Sequence, residues 1–521
     1  MPERTEKPGK VYLLGGGPGD PELITVRARR RVAEADVVLY DALIHPDLLQ
    51  HARPDAEVRF VGKRAGRASE RQSAINERMV EAARAGKTVA RLKGGDPYLF
   101  GRGSEEAEYL VEHGIAFEVV PGVPSPLAAT AYAGISLSHR ELASSVAYLT
   151  ATESPDKDES AHDWAKLATA TQTLVIFMGL RKLDVLMELL MKHGRAPDCP
   201  AAVIHAASLP SQRTLVGTVS TIAELARAAN PGMPSLIVVG EVVSLRQTLR
   251  WFDSKPLFGQ RVLLTRPAEQ GTHAAELLRD AGAAPVHLPA IRIEPPEDGA
   301  PLRDAVANLG DYDWVVFTSV NGVDRFFAEL DAQDGDARKL GAARVAAIGP
   351  ATAGRLASHG VRADVTPDEH RGEAVAEAIL AHHDGHMHAL SVLLPRAAIA
   401  RDALPDALRQ AGARVDVVSA YRTLPADETT TERLRAAIGA GEIDIATFTS
   451  SSTVAHTVEA LGERAGELLG RLTVASIGPI TTDTARKHGI RVDVTAERYT
   501  VEGLVEALEE HMRARAAKSD G

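Results

Sequence analysis

Four short stretches carry residue types that can do chemistry. Gly15-Gly16-Gly17-Pro18-Gly19-Asp20-Pro21 follows an apolar run at 11–14. Glycines there let backbone N–H groups approach a ligand with no Cβ in the way. Asp41 ends a second apolar run at 37–40, and Lys63 with Arg64 ends a third that begins at Val58. Lys93-Gly94-Gly95-Asp96-Pro97 ends a fourth that begins at Thr88. A carboxylate and an ammonium in one cleft can serve as general base and acid; the same two residues can equally form a salt bridge at a loop. The first loop reads as a structural turn or as a ligand loop, and bare Gly-Gly-Asp-Pro is more often a turn. Neither is the dinucleotide fingerprint, because the spaced third glycine is missing.

Elements must hold these stretches in place. The four runs are short, apolar and rich in β-branched residues, which predicts buried strands. Leu23, Val26 and Ala33 fall on a helical period after the first loop, and 73–85 is an amphipathic helix. A further strand at 117–120 closes on Pro121-Gly122. Strand, Gly-rich turn, helix is how α/β proteins present a ligand at the carboxyl ends of strands. Parallel strands would gather all these loops on one sheet edge. A β-rich run at 144–150, a polar segment at 153–163 and strands at 174–178, 201–205, 214–219 and 236–239 predict a second α/β domain ending near Trp251. Asp253-Ser254-Lys255-Pro256 reads as a linker.

The remainder contains a duplication. Thr265-Arg266-Pro267 after an apolar strand recurs as Pro395-Arg396-Ala397. Asp313-Trp314-Val315-Val316-Phe317-Thr318-Ser319 recurs as Asp444-Ile445-Ala446-Thr447-Phe448-Thr449-Ser450, and Ile348-Gly349-Pro350 as Ile477-Gly478-Pro479. The offsets are 130, 131 and 129 residues. That is far too long for a solenoid repeat, so two similar α/β lobes with a cleft between them are expected. Thr318, Ser319 and Asn321, with Thr449, Ser450 and Ser451, lie just after strands at equivalent places. Hydroxyls and backbone N–H groups there can bind carboxylates; the same residues also serve well as helix N-caps. His382, His383, His386 and His388 form a histidine-rich tract, where a solvated loop is the commoner outcome and metal binding the rarer one.

Totals exclude several functions. A chain of 521 residues allows about three or four domains. A formal charge of −11 argues against general nucleic-acid or anionic-membrane binding. Cys199 is the only cysteine, which rules out an internal disulfide and multi-cysteine metal sites. No apolar run approaches the ~20 residues of a membrane span, and 1–10 has no signal-peptide core. A cytoplasmic protein with no metal, no nucleic-acid partner and no membrane association is expected.

The N-terminal motifs together resemble the uroporphyrinogen-III C-methyltransferases of the tetrapyrrole methylase family. The resemblance rests on Gly15 to Pro21, Tyr40-Asp41, Val61-Gly62-Lys63-Arg64-Ala65-Gly66 and, most specifically, Arg91-Leu92-Lys93-Gly94-Gly95-Asp96-Pro97-Tyr98-Leu99-Phe100-Gly101-Arg102-Gly103. Tyr132-Ala133-Gly134-Ile135, Ser138-His139-Arg140 and Phe177-Met178-Gly179 continue it to about 252. The duplicated part, 257 to about 512, is similar to uroporphyrinogen-III synthase through Thr265-Arg266-Pro267, 317–323, Ile348-Gly349-Pro350-Ala351-Thr352 and Tyr421-Arg422-Thr423. The fold implied is α/β throughout: a two-domain tetrapyrrole methylase fold over 1–252, with subdomains of about 10–122 and 123–252, then a two-lobed, flavodoxin-like duplicated synthase fold over 257–521.

The resemblance also implies roles. The synthase half would expel water from hydroxymethylbilane and close uroporphyrinogen III with one pyrrole inverted, needing no cofactor, with Tyr421 beside the leaving hydroxyl. The methyltransferase half would methylate that ring twice with S-adenosylmethionine, giving precorrin-2 for sirohaem, cobalamin or another product. Asp41 would be its base and Lys63 its proton donor. Pro18, Gly94, Gly95, Asp96, Leu99, Pro124, Ser125, Met178 and Ala207 would hold S-adenosylmethionine. Arg64, Arg102 and Arg140, with Arg67 and Arg71 nearby, and in the second half Arg266, Arg396 and Thr481 with the Thr/Ser/Asn loops, would meet substrate carboxylates. Ala42, Pro124 and Ala207 depart from the family's usual arginine, threonine and glycine, which puts affinity in question. A homodimer through the methyltransferase half is implied. The alternative is a methyltransferase carrying a non-catalytic tetrapyrrole-binding module. No segment resembles the dehydrogenase–chelatase module often linked to such methyltransferases.

Overall fold

The runs at 11–14 and 37–39 are apolar on both alternating faces, so the sheet they form must be covered twice. A computed structural model describes residues 9–62, 71–152, 162–369, 371–385 and 387–519. In it β1 (Val11–Gly15), β2 (Val37–Tyr40), β3 (Glu57–Phe60), β4 (Val89–Lys93) and β5 (Phe117–Val120) form one sheet in the order β3-β2-β4-β1-β5. Every pairing in it is parallel. Val11, Leu13, Val37 and Leu39 pack on one face with Met79 and Val80 of α2 (Gln72–Arg84) and Leu110 of α3 (Gly103–Glu112). Tyr12, Leu14, Val38 and Leu92 pack on the other with Ala28 and Val32 of α1 (Val26–Glu34). Alternate side chains of one strand therefore feed two cores, and the expected gathering of strand ends on one edge follows.

A mixed sheet follows in the order β6-β7-β10-β8-β9, from β6 (Val146–Thr150), β7 (Thr173–Phe177), β8 (Pro200–His205), β9 (Arg213–Thr218) and β10 (Ser235–Val239). Strands β6 and β7 are parallel; β10 runs antiparallel to β7 and β8. Between the sheets lies α4 (Ser125–Tyr132). The first compact unit covers residues 1–259 with 282–284; the second covers 260–281 with 285–521. No helix among the described residues is long and apolar enough to cross a membrane.

The second unit contains two five-stranded sheets, and the repeat does not fold copy by copy. One sheet has the order β12-β11-β18-β19-β20, from β11 (Arg261–Leu264), β12 (Ala284–His287), β18 (Ile445–Phe448), β19 (Thr473–Ser476) and β20 (Val494–Thr495). The other has the order β13-β17-β16-β14-β15, from β13 (Ile291–Glu294), β14 (Trp314–Phe317), β15 (Arg344–Ala347), β16 (Ser391–Ala397) and β17 (Arg414–Pro425). By sequence β11 matches β16, β18 matches β14 and β19 matches β15. Yet β11 pairs with β18, and β16 with β14. Each lobe takes one strand from one copy and the next two from the other. The repeated aspartates pin this exchange: Asp444 Oδ2 accepts the Arg261 N–H and Asp313 Oδ2 the Ser391 N–H, both at 2.8 Å. Asp364 and Asp493 serve β15 and β19 alike, accepting the N–H of Val345 at 2.7 Å and of Val474 at 2.9 Å. The lobes are joined by β13 and the far end of β17, which pair antiparallel from Ile291↔Pro425 to Glu294↔Arg422.

Candidate active sites

The carboxyl edge of the first sheet is built from backbone in close contact. Gly95 donates to the Gly17 carbonyl at 2.7 Å, Gly17 donates back at 3.3 Å, and Gly16 donates to the Lys93 carbonyl at 2.7 Å. A Cβ on Gly15 would lie 2.7 Å from the Gly95 carbonyl oxygen, so the β1 and β4 loops approach as only glycine allows. Gly95 has φ +68, and a Cβ there would face Ser125 N at 3.7 Å and Pro124 Cα at 3.9 Å. Gly19 abuts the Ala207 carbonyl in the same way, at 2.8 Å. Pro18, Gly95, Pro124, Ser125 and Ala207 thus stand on loops in mutual contact. Leu99 and Met178 join them through their neighbours, since the Phe100 and Phe177 rings lie 4.8 Å apart. Met178 is half exposed. Asp96 fastens the loops: Oδ1 accepts the Tyr98 N–H at 2.8 Å and Oδ2 the Gly122 N–H at 3.1 Å.

Five non-glycine residues of these loops have left-handed backbone: Phe100 (φ 53), Arg102 (φ 59), Met178 (φ 54), Ala206 (φ 46) and Ser208 (φ 64). Each costs about 1–2 kcal/mol for an L-residue. Strain gathered in one cleft points to a site where backbone geometry serves a ligand. The cleft is a cradle suited to S-adenosylmethionine: glycine backbone on one side, an exposed thioether and apolar side chains on the other.

Asp41 sits where β2 ends, and its partner was not expected. Arg91 Nη2 donates to Asp41 Oδ1 at 2.7 Å. Arg91 Nε, Lys93 Nζ and Gln72 Nε2 all converge on one oxygen, Glu106 Oε1, at 3.1, 2.9 and 3.0 Å. The Arg91 side chain is 2 % exposed and that of Glu106 0 %, against 27 % for Asp41. Glu106 Oε2 is buried with no hydrogen-bond partner among the described residues. Burial works against the Arg91 charge, but the Glu106 and Asp41 carboxylates outweigh it and hold the pKa above its ordinary value. Burial, helped by the Arg91 charge, pulls the Lys93 pKa down. Two cations and two carboxylates balance, and the only one open to the cleft is the carboxylate of Asp41. The sequence signal was available: Arg91 and Lys93 interrupt an otherwise apolar strand. Lys63, Arg64 and Arg67 lie outside the described residues.

The candidate arginines divide. Arg102 is exposed and paired with Glu105, and Arg140 is exposed on the loop after α4. Pro124 is the N-cap residue of α4, with its carbonyl accepting the Leu127 N–H at 3.1 Å.

In the second unit Tyr421 is buried on β17 and shares a 3.0 Å hydrogen bond with Ser319 Oγ. Ser319 also caps the helix Val320–Ala332, which includes Asn321 in its first turn, by accepting the Gly322 N–H at 3.0 Å. Ser450 caps Ser451–Leu461 at the equivalent place. A cavity of about 290 Å³ is lined by Thr318, Tyr421, Arg396 and Arg371 of one lobe and Ile480 of the other. Arg396 faces it already engaged, donating to Asp402 and to the Arg401 carbonyl. Arg266 is held below its ordinary pKa by burial, an effect the neighbouring Tyr421 opposes. Ser451 Oγ is bonded to Thr484 at 2.8 Å, Thr481 is buried, and Thr449 Oγ1 is buried without a partner among the described residues. Both readings of these hydroxyls therefore have support: two are caps, and Thr318 lines the cavity. In the histidine tract, His383 Nε2 accepts from Trp314 Nε1 at 2.9 Å and His382 stands edge-on to the same indole; His386 lies outside the described residues. Among the described residues no group of His, Cys, Asp or Glu could hold a metal ion.

A glycine cradle at a parallel sheet edge, followed by a strand-exchanged two-lobed unit with a cleft, defines an α/β enzyme in two parts. The chain belongs to the tetrapyrrole methylase family through its first half and to the uroporphyrinogen-III synthase family through its second. The pattern described as Tetrapyrrole (Corrin/Porphyrin) Methylases matches residues 10–223, and that described as Uroporphyrinogen-III synthase HemD matches 272–506. The porphyrin biosynthesis protein HemD of Ruminiclostridium josui is 37% identical over 500 residues, covering 96% of this chain and 97% of its own. An S-adenosyl-L-methionine-dependent uroporphyrinogen III methyltransferase of Methanosarcina barkeri is 51% identical over 241 residues, 46% of this chain and 94% of its own. The solved uroporphyrin-III C-methyl transferase of Thermus thermophilus, complexed with S-adenosyl homocysteine, is 38% identical over 46% of this chain and 100% of its own, at a TM-score of 0.39.

Proposed function

We propose that this chain performs two consecutive steps of tetrapyrrole synthesis. The second unit cyclises hydroxymethylbilane to uroporphyrinogen III, and the first methylates that product twice with S-adenosylmethionine to precorrin-2. The observation that carries the reading is the meeting of Asp41 with the glycine cradle at one sheet edge, on a chain whose other unit belongs to the family that makes the methyl acceptor.

S-adenosylmethionine supplies an electrophilic methyl group. The chain's own residues do the rest: the Gly94-Gly95 and Pro18-Gly19 backbones, Leu99, Pro124-Ser125, Met178 and Ala207 hold and orient it, which supplies most of the acceleration. Asp41, fixed by Arg91, takes the proton of the methylated carbon, and Lys63 returns one to the macrocycle. Arg64, Arg102 and Arg140 meet substrate carboxylates. In the second unit Tyr421 donates its hydrogen bond to the departing hydroxyl, held by Ser319. Arg266, Thr318, Asn321, Thr449, Ser450, Ser451 and Thr481 surround the folded chain. Arg396, on the cavity wall, is bonded to Asp402 and the Arg401 carbonyl and offers its remaining N–H groups to a substrate carboxylate. The protein works in the cytoplasm as a homodimer formed through the methyltransferase half.

The test is the full chain with hydroxymethylbilane, with and without S-adenosylmethionine. Without it, type III uroporphyrinogen should accumulate; with it, a dimethylated ring should replace it. Type I product alone, at the uncatalysed rate, would sink the synthase assignment and favour a non-catalytic binding module. Type III without methylation would sink the other.

A further inference from the structure

A closed ring of hydrogen bonds spans the two subdomains of the methylase unit, and the reaction above does not use it. The Asp20 N–H donates to Ser208 Oγ at 3.0 Å, and the Ser208 N–H to Gln212 Oε1 at 3.0 Å. Gln212 Nε2 donates to the Tyr132 carbonyl at 3.2 Å, and Tyr132 Oη returns to Asp20 Oδ2 at 2.9 Å. Ser208 and Gln212 are buried. The Tyr132 ring is wedged against Phe252 and Trp251, with centroids 4.7 and 5.1 Å away.

The ring adds polar ties among three elements, two of which, α4 and the Ala207 loop, also share an apolar core. Asp20 belongs to the β1 loop beside Pro18. Ser208 belongs to the loop after β8 beside Ala207, whose neighbours Ala206 and Ser208 both have left-handed backbone. Tyr132 ends α4, whose other end carries Pro124 and Ser125 against Gly95. A loop with two such residues relaxes unless something holds it. We infer that the Tyr132–Asp20–Ser208–Gln212 ring is a clasp that sets the separation of the Pro18 and Ala207 walls, making Tyr132 and Gln212 positioning residues for S-adenosylmethionine. This rests on the proposed placement of that ligand.

Calorimetry of S-adenosylhomocysteine binding to the full chain, with steady-state methyl transfer, tests it. Tyr132→Phe and Gln212→Leu should each raise the S-adenosylhomocysteine Kd and the S-adenosylmethionine KM by about three- to tenfold, the worth of a lost hydrogen bond. Saturated kcat and the uroporphyrinogen III KM should stay put, whereas general misfolding would lower kcat and leave Kd alone. Gln212→Glu, which keeps the acceptor for Ser208, should recover part of the affinity. The double variant should lose little more than either single one, because a ring opens once. Wild-type Kd in both single variants, or fully multiplicative losses in the double one, would overturn the clasp. Met178→Ala separates the premises: if it weakens binding while the clasp variants do not, the clasp alone fails. If it and Gly95→Val also bind normally, the ligand's placement fails and takes the clasp with it.

Discussion

Glu106→Gln tests the buried charges beneath Asp41 most directly. The wild-type balance is two cations, Arg91 and Lys93, against two carboxylates, Asp41 and Glu106, all joined by contacts of 3.1 Å or less. The glutamine keeps the shape and an acceptor oxygen but removes one charge. Breaking a buried pair by removing one partner costs about 3–5 kcal/mol, because a charge is left uncompensated. Here the loss falls on two cations at once, which argues for the upper part of that range. At roughly 2–4 °C per kcal/mol for a unit of this size, a loss of about 4–5 kcal/mol shifts melting by about 8–20 °C.

Two features sharpen the test. Lys93 already has a folded-state pKa below its ordinary 10.5, through burial and the Arg91 charge. Between the folded and the ordinary value the unfolded chain binds more protons, so stability rises with pH there. Without Glu106 the folded value drops further and that window widens downward, so the variant should regain stability with rising pH over a wider range than wild type. Second, Glu106→Gln/Lys93→Met leaves Arg91 facing Asp41 alone, a balanced pair, and should recover more than half of the loss. Hydrogen exchange of α3 and β4 amides, followed across pH, reads both. A loss below ~1 kcal/mol, or a double variant no better than the single, would refute the charge-balance reasoning.

The remaining expectations concern chemistry and cradle. Asp41→Asn and Lys63→Met should each lower methyl transfer at least ~100-fold, the low end for a lost base or acid, with S-adenosylhomocysteine binding nearly unchanged in calorimetry. Near-normal turnover in both would take them out of the chemistry and leave Asp41 as the partner of Arg91 only. Gly95→Val should weaken S-adenosylhomocysteine binding in folded protein chiefly through its φ of +68, since a Cβ there meets nothing closer than 3.7 Å. An unchanged affinity would mean that the loop is only a turn.

Much of this was legible in the sequence. Strands β1 and β2 were readable because an apolar run that feeds two cores has no polar face to confuse its period, and β4 because only Arg91 and Lys93 interrupt it. The gathering of Asp41, Gly95 and Pro18 then followed from parallel pairing alone. The clasp was not readable, and of the Glu106 hub only the two charges that interrupt β4 were, not their partners. Arg91 is 50 residues from Asp41 and 15 from Glu106, and nothing local distinguishes a buried arginine from a solvated one. The repeat misled in a different way. Its offsets prove that β11 and β16 are equivalent, but equivalence does not say which strand each will pair with. The exchanged pairing lives in Asp313 and Asp444, whose carboxylates each reach the first residue of a strand from the other copy.

Tyr421 shows how that pairing creates a site. Along β16 and β17 the register runs evenly to Arg396↔Ser419 and then jumps to Ala397↔Tyr421, so one residue of β17 is extra. A bulge re-aims the side chains beyond it, and β17 leaves β16 here to pair with β13 from Arg422 onward. The phenol is thereby held at the cavity, 3.0 Å from the hydroxyl that caps a helix. Ser319 accepts the Gly322 N–H and shares the 3.0 Å bond with the phenol, so it holds the ring in place. Tyr421→Phe removes one oxygen and leaves that cap in place, so the cost in stability should be no more than about 1 kcal/mol. Formation of type III ring from hydroxymethylbilane should fall at least ~100-fold, as for a lost general acid, while methylation of supplied uroporphyrinogen III continues. The type I isomer, which forms without help, should then dominate the product. Wild-type output of type III would show that the bulge positions a packing residue, and that the acid lies elsewhere in the cleft.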